Sequence, residues 1–86
     1  MEIMGFFTYI LIGRSKKITK TYVGWTNNLQ KRLISHNKGS GAKSTKGYNW
    51  KVIYVKRHKT KIEAMKYEYY LKKISPLRNK LKAKYK

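Results

Sequence analysis

The stretch Tyr22-Val23-Gly24-Trp25-Thr26-Asn27-Asn28-Leu29-Gln30-Lys31-Arg32-Leu33-Ile34-Ser35-His36 decides how the chain folds. It reads as a short strand over 21–25, a tight turn, and a helix entered at Asn27 or Asn28. Asparagine caps a helix start because its side-chain oxygen accepts one of the backbone N–H groups left unpaired there. Gly39 supplies the exit, where a residue without Cβ turns left-handed at low cost. At about 100° per residue, Leu29 and Leu33 share a helix face with Arg32 and His36 at its edge. Arg32 and His36 lie one turn apart and point at the same volume. By themselves they also fit a guanidinium lying along a leucine stripe and a cation favoured by the helix C-terminus.

Working outward, Phe7-Thr8-Tyr9-Ile10-Leu11-Ile12 is a second strand-like run, rich in aromatic and branched residues. Between the two runs, Gly13-Arg14-Ser15-Lys16-Lys17-Ile18 has the polarity of a hairpin loop. A hairpin symmetric about Ser15 and Lys16 places Tyr9 opposite Tyr22, and directly opposed residues have Cβ atoms about 5 Å apart on one face. Trp50-Lys51-Val52-Ile53-Tyr54-Val55-Lys56 alternates imperfectly but reads as a third strand, with Trp50 as a core anchor and His58 as a bystander at its end. Thr60 caps a second helix with Glu63 as its capping-box partner. This helix carries Ala64, Met65, Tyr67, Tyr69, Tyr70, Leu71 and Ile74 and ends before Pro76. Glu68 lies between apolar positions, and a pair with Lys72 at i+4 is one reading of it. Ser75-Pro76 restarts the chain, and Leu77, Leu81 and Tyr85 at one-turn spacing suit a short third helix with Arg78, Lys80, Lys82, Lys84 and Lys86 as a basic strip. The loop over 39–49, with three glycines, two serines and two lysines, suits either close approach of backbone N–H groups to an anion or an ordinary connection.

Composition bounds the rest. Eighty-six residues make one domain, near the size at which a single core barely suffices. Twenty-two Lys and Arg against three acids give a net charge of +19. Such a field concentrates polyanions, and nucleic acid is the expected partner because each neutralised phosphate releases counterions. There is no cysteine, which excludes disulfides and thiolate metal sites. No apolar run approaches the ~20 residues of a membrane span, and the first residues lack the pattern of a signal peptide. A cytoplasmic location is the expectation.

These elements resemble the GIY-YIG nuclease superfamily, specifically its small stand-alone bacterial members of the UPF0213 kind. Tyr22-Val23-Gly24 matches the second signature triplet. Phe7-Thr8-Tyr9 stands at the first, where only the tyrosine of Gly-Ile-Tyr is kept. Arg32 and His36 follow at the family's spacing, and 36–47 resembles a loop shared with structure-selective DNA endonucleases. The resemblance covers roughly residues 6 to 74. It implies an α/β (α+β) fold, a small three-stranded antiparallel sheet flanked by two or three helices. It also implies one domain over 1–86, with its core at 6–74 and a basic helix or tail at 75–86.

What the resemblance implies chemically is a divalent-metal-dependent endonuclease hydrolysing DNA phosphodiester bonds, with branched or damaged DNA as candidate substrates. Its catalytic residues would be Tyr9, Tyr22, Arg32, His36 and Glu68. Glu68 is expected as the metal ligand, for Mg²⁺ or Mn²⁺; with Glu2, Glu63 and Glu68 the only acids, a two-metal cage is out of reach. One Mg²⁺ held by a single carboxylate, waters and phosphate is ordinary for that ion. Arg32 would meet the charge building on the phosphate. A tyrosine, with an ordinary pKa of about 10, needs neighbouring positive charge to act as general base. Tyr22 is the preferred base, with Tyr9 or His36 orienting it or relaying the proton. Lys31, Lys43, Thr45, Lys46 and Lys72 are expected to contact nucleic acid, DNA rather than RNA, and Asn79 stands where many members carry an asparagine. Family nucleases often have or borrow a recognition module, so a protein partner is compatible with the pattern. A non-catalytic nucleic-acid-binding module of the same fold is the alternative; a basic RNA-binding or ribosome-associated protein is a third.

Overall fold

The hairpin between the first two strands turns one residue later than its polarity suggests, which shifts the pairing by two. In the computed structural model, which describes residues 5–16, 18–39, 45–74, 80 and 83, β1 (Phe6–Ser15) and β2 (Ile18–Thr26) pair antiparallel down to Ser15 opposite Ile18. Gly13, Arg14 and Ser15 are therefore strand and not loop. Lys16 takes a left-handed φ of 54° at the turn, where Asn or Gly would be the usual choice. Tyr9 then faces Gly24, and Tyr22 faces Leu11, which corrects the expected Tyr9–Tyr22 register. A shift of two preserves the parity of a strand, so both phenols still share a face.

α1 (Leu29–Lys38) follows β2, and β3 (Asn49–His58) pairs with the other edge of β1 to give the order β2-β1-β3. The imperfect alternation of β3 has a structural cause. Ile10 pairs with Tyr54 and Leu11 with Val52, leaving Ile53 as a bulge, so that Ile53 and Tyr54 pack on the same side of the sheet. α2 (Lys61–Lys73) completes the described elements. The three-stranded antiparallel sheet with its two helices is the α+β fold expected. The helix or tail over 75–86, including Asn79, and Lys43 lie outside the described residues, positions 80 and 83 excepted.

The caps are as the sequence reads. Asn28 Oδ1 accepts from the Lys31 N–H at 3.1 Å, and Gly39 at φ 81° donates its N–H to the His36 carbonyl at 3.1 Å. Thr60 Oγ1 accepts from the Glu63 N–H at 3.2 Å. Glu63 returns its carboxylate to the Lys59 N–H at 3.3 Å, one residue before the cap, where the box motif would place it on Thr60.

Each face of the sheet has its own apolar cluster. Tyr9, Leu11 and Trp50 pack with Tyr22, Leu29 and Leu33 under α1. Ile10, Val23 and Leu71 pack with Ile53, Tyr54 and Tyr67 under α2. Fully burying a side chain such as Ile10 or Leu71 contributes roughly 1.5–3 kcal/mol. His58 is no bystander: it is buried, and its ring contacts Thr8 Oγ1 at 3.0 Å. Thr8 donates its one hydroxyl hydrogen to the Ala64 carbonyl at 2.9 Å, so Nε2 of His58 must be the donor to Thr8. That chain of bonds ties the end of β3 through β1 to the first turn of α2.

Candidate active site

The site begins with a glycine. Gly24 lies on β2 between the two phenols, and a Cβ there would stand 2.6 Å from Tyr9 Oη and 2.9 Å from Tyr22 Cε1. Real Cβ atoms essentially never approach so closely, so the third residue of Tyr22-Val23-Gly24 is the space in which the tyrosines sit. The rings of Tyr9 and Tyr22 are 6.3 Å apart. α1 then lowers Arg32 and His36 onto this face. Tyr9 Oη is 2.9 Å from His36 Nε2, and the His36 ring lies 4.8 Å from that of Tyr22. The Arg32 guanidinium lies near enough to both phenols that Tyr9, and more weakly Tyr22, favour its charged form.

His36 is fully buried, deeper than the helix edge the wheel assigned to it. Its other nitrogen, Nδ1, is 2.9 Å from Thr45 Oγ1. Thr45, expected to touch nucleic acid, is itself fully buried. Its carbonyl accepts from Trp50 Nε1 at 2.7 Å, which makes Trp50 both core anchor and clamp. Asn37 grips the backbone of Trp50 from α1, accepting from its N–H at 2.6 Å and donating to its carbonyl at 3.2 Å. The loop between α1 and β3 is thus pinned to the site at its Thr45 end. The bonds to His36 and Trp50 hold Thr45 in place, and nothing in its local sequence signals them.

Electrostatics separates the groups. Burial pushes the Tyr9 phenol up to about 12, opposed by the Arg32 hydrogen bond and assisted by the charges of Tyr22 and Glu68. Burial, with the Arg32 charge behind it, lowers the His36 pKa and keeps the imidazole neutral. A neutral imidazole has one donor and one acceptor. Tyr9 and Thr45 flank the two ring nitrogens, so one of their hydroxyls donates to the ring and the other accepts from it. The hydrogen bond to Tyr9 raises the Arg32 pKa against the cost of burial. Its Nε is shut from solvent and has no hydrogen-bond partner among the described residues, a donor whose burial calls for an acceptor.

Glu68 comes from α2, which packs on the opposite face, yet its charge reaches the Tyr9 phenol. The carboxylate is 21 % exposed and pairs with Lys72 Nζ at 3.1 Å, so the surface pair coexists with a charge effect felt by Tyr9. Among the described residues no group of three or more His, Cys, Asp or Glu stands together. A preformed cage is therefore absent there, and a single carboxylate such as Glu68 could hold only an ion completed by waters and a substrate phosphate. Lys31 and Lys46 are exposed, Lys72 is engaged by Glu68, and Lys43 lies outside the described residues.

A family model described as the GIY-YIG catalytic domain matches residues 5–82. A UPF0213 protein of Clostridium perfringens is 43 % identical over 70 residues, covering 80 % of this chain and 72 % of its own. One of Oceanobacillus iheyensis is 44 % identical over 77 residues, covering 88 % and 85 %. YazA, a UPF0213 protein of Bacillus subtilis, is 39 % identical over 82 residues, covering 94 % and 80 %. No solved structure gives a significant match. With the matched model spanning nearly the whole length and both signature tyrosines side by side in the fold, the chain belongs to the GIY-YIG nuclease superfamily.

Proposed function

We propose that this protein is a divalent-metal-dependent endonuclease of the cytoplasm that hydrolyses DNA phosphodiester bonds, with branched or damaged DNA as its candidate substrates. The observation that carries the reading is the convergence of Tyr9, Tyr22, Arg32 and His36, with a buried guanidinium N–H left without an acceptor among the described residues. A phosphate oxygen is the acceptor that matches such a donor in charge and shape.

Tyr9 is held protonated by its burial and is engaged by His36 at 2.9 Å, which leaves it the wrong group for a base. Tyr22 is half-buried and sits against the same imidazole, so it is the phenol placed to take a proton from the attacking water. Arg32 spans both phenols and supplies fixed positive charge as the phosphate gathers negative charge. His36, fixed between Tyr9 and Thr45, orients the phenols without carrying charge of its own. Glu68 would hold Mg²⁺ or Mn²⁺, which polarises the phosphate and stabilises the departing oxygen.

The Glu68–Lys72 ion pair favours a second reading, a nucleic-acid-binding module that does not cut, because it offers the one nearby acid a partner already. Incubation of supercoiled, single-stranded and branched DNA with and without Mg²⁺ or Mn²⁺, beside Glu68→Ala, separates the two. Metal-dependent cutting that the variant loses is the expected result. Binding with no cutting supports the second reading, and cutting that survives Glu68→Ala overturns the role given to that acid.

A further inference from the structure

A concavity of about 730 Å³ lies away from the phenols, between the end of β3 and α2. Lys56 stands opposite Thr8 in the sheet, and Thr8 reaches Ala64 of α2, so this hollow is on the face opposite Tyr9 and His36. Four exposed cations border it, Lys56, Arg57, Lys59 and Lys66, against one carboxylate. That carboxylate, Glu63, is occupied by the Lys59 N–H.

The floor is aromatic and braced. Tyr67 shares a 2.7 Å hydroxyl contact with Tyr54 and lies 5.3 Å from the ring of His58, which Thr8 holds in turn. Lys56 Nζ sits 4.7 Å over the Tyr67 ring. Tyr70 continues the row at 5.7 Å and is 55 % exposed. Fixed cations beside an exposed aromatic surface are what an unpaired nucleic-acid strand needs: charge for successive phosphates and a π-face for a base. A duplex would use the cations but leave Tyr70 idle, because its bases are already stacked.

We propose that this groove binds an unpaired DNA strand, with phosphates against Lys56, Lys59 and Lys66 and a base stacked on Tyr70. The proposal rests on nucleic acid being the substrate but not on any cleavage by the phenol face. The protein would thereby hold a single-stranded segment on one side of the sheet while the other side meets the bond to be cut.

The test is fluorescence anisotropy with labelled oligo(dT) in EDTA, so that no chemistry enters the readout. Lys56→Gln/Lys59→Gln/Lys66→Gln is compared with a charge-matched triple at the hairpin and the end of α1, Lys16→Gln/Lys20→Gln/Lys38→Gln. The groove triple is expected to weaken binding about tenfold or more, and to flatten the slope of log affinity against log salt by about 2. The control triple should do clearly less. Tyr70→Ala should weaken oligo(dT) by about fivefold or more with the salt slope unchanged, and Tyr70→Phe should keep it. Equal losses in both triples would overturn the proposal, because the overall field would then explain the binding. Unchanged affinity in Tyr70→Ala would overturn the stacking, and tighter capture of oligo(U) would overturn the assignment to DNA. Plasmid cutting by the groove triple is scored separately: a wild-type protein that never cuts sinks the nuclease reading and leaves these comparisons intact.

Discussion

Replacing Gly24 by alanine tests the geometry of the site with one methyl group. The new Cβ would lie 2.6 Å from Tyr9 Oη, 2.8 Å from Tyr9 Cζ and 2.9 Å from Tyr22 Cε1. Non-bonded carbon contacts relax at about 3.5–4.0 Å, so the phenols must retreat by roughly 1 Å. Gly24 is absent from the positive-φ positions, so the objection is steric and the backbone itself would accept alanine. Tyr9 has little room to move: it is 1 % exposed and held at 2.9 Å by His36. Overpacking of this kind costs about 1–3 kcal/mol, and misplacing a catalytic group by 1 Å costs on the order of 10²-fold in rate. Urea denaturation and initial rates of plasmid nicking read the two effects separately. A Gly24→Ala protein with wild-type stability and wild-type nicking would refute the placement of both phenols against β2.

Glu68→Gln removes the proposed metal ligand at nearly constant shape; nicking should fall to the level seen with EDTA, while stability changes by only a few tenths of a kcal/mol from loss of the Lys72 pair, as melting would show. For His36, whose folded pKa is lowered, the unfolded chain binds the proton more readily, so stability is complete above about pH 6.5 and declines as the pH falls below it. The melting-temperature advantage of wild type over His36→Gln should therefore shrink between about pH 7.5 and 5, and a constant difference would contradict the buried neutral imidazole. Of eight tyrosines, Tyr9 and Tyr54 are pushed up to about 12, the first chiefly by burial and the second chiefly by its bond to Tyr67. Ultraviolet titration should show a late-ionising fraction, and Tyr9→Phe should remove part of it.

Much of the fold was legible because its signals are local. Asn28, Gly39 and Thr60 cap helices through bonds to residues three or four positions away. The shared face of Tyr9 and Tyr22 was also legible, since parity survives a two-residue slip. The register was not, because Lys16-Lys17 lacks the turn residues that mark a short hairpin, while Gly13 mimics one. Gly13 belongs to the strand for a distant reason: the Trp50 ring occupies the place of its missing Cβ, 2.6 Å away. Thr45, His58 and the bulge at Ile53 likewise depend on partners brought together only by the fold. The role expected of Glu68 comes from family pattern alone; its position on the helix wheel gave no hint that its charge would be felt by Tyr9.

The most direct test of the site is the single-turnover rate of Mg²⁺-dependent DNA cleavage at saturating protein, measured for wild type, Tyr22→Phe and Arg32→Ala with the DNA affinity of each. A phenol that takes a proton and a guanidinium that meets the transition-state charge should each be worth about 10²-fold or more in the chemical step. Affinity should change little, because the remaining cations carry the binding. Cleavage by both variants at the wild-type rate would contradict the account at its centre.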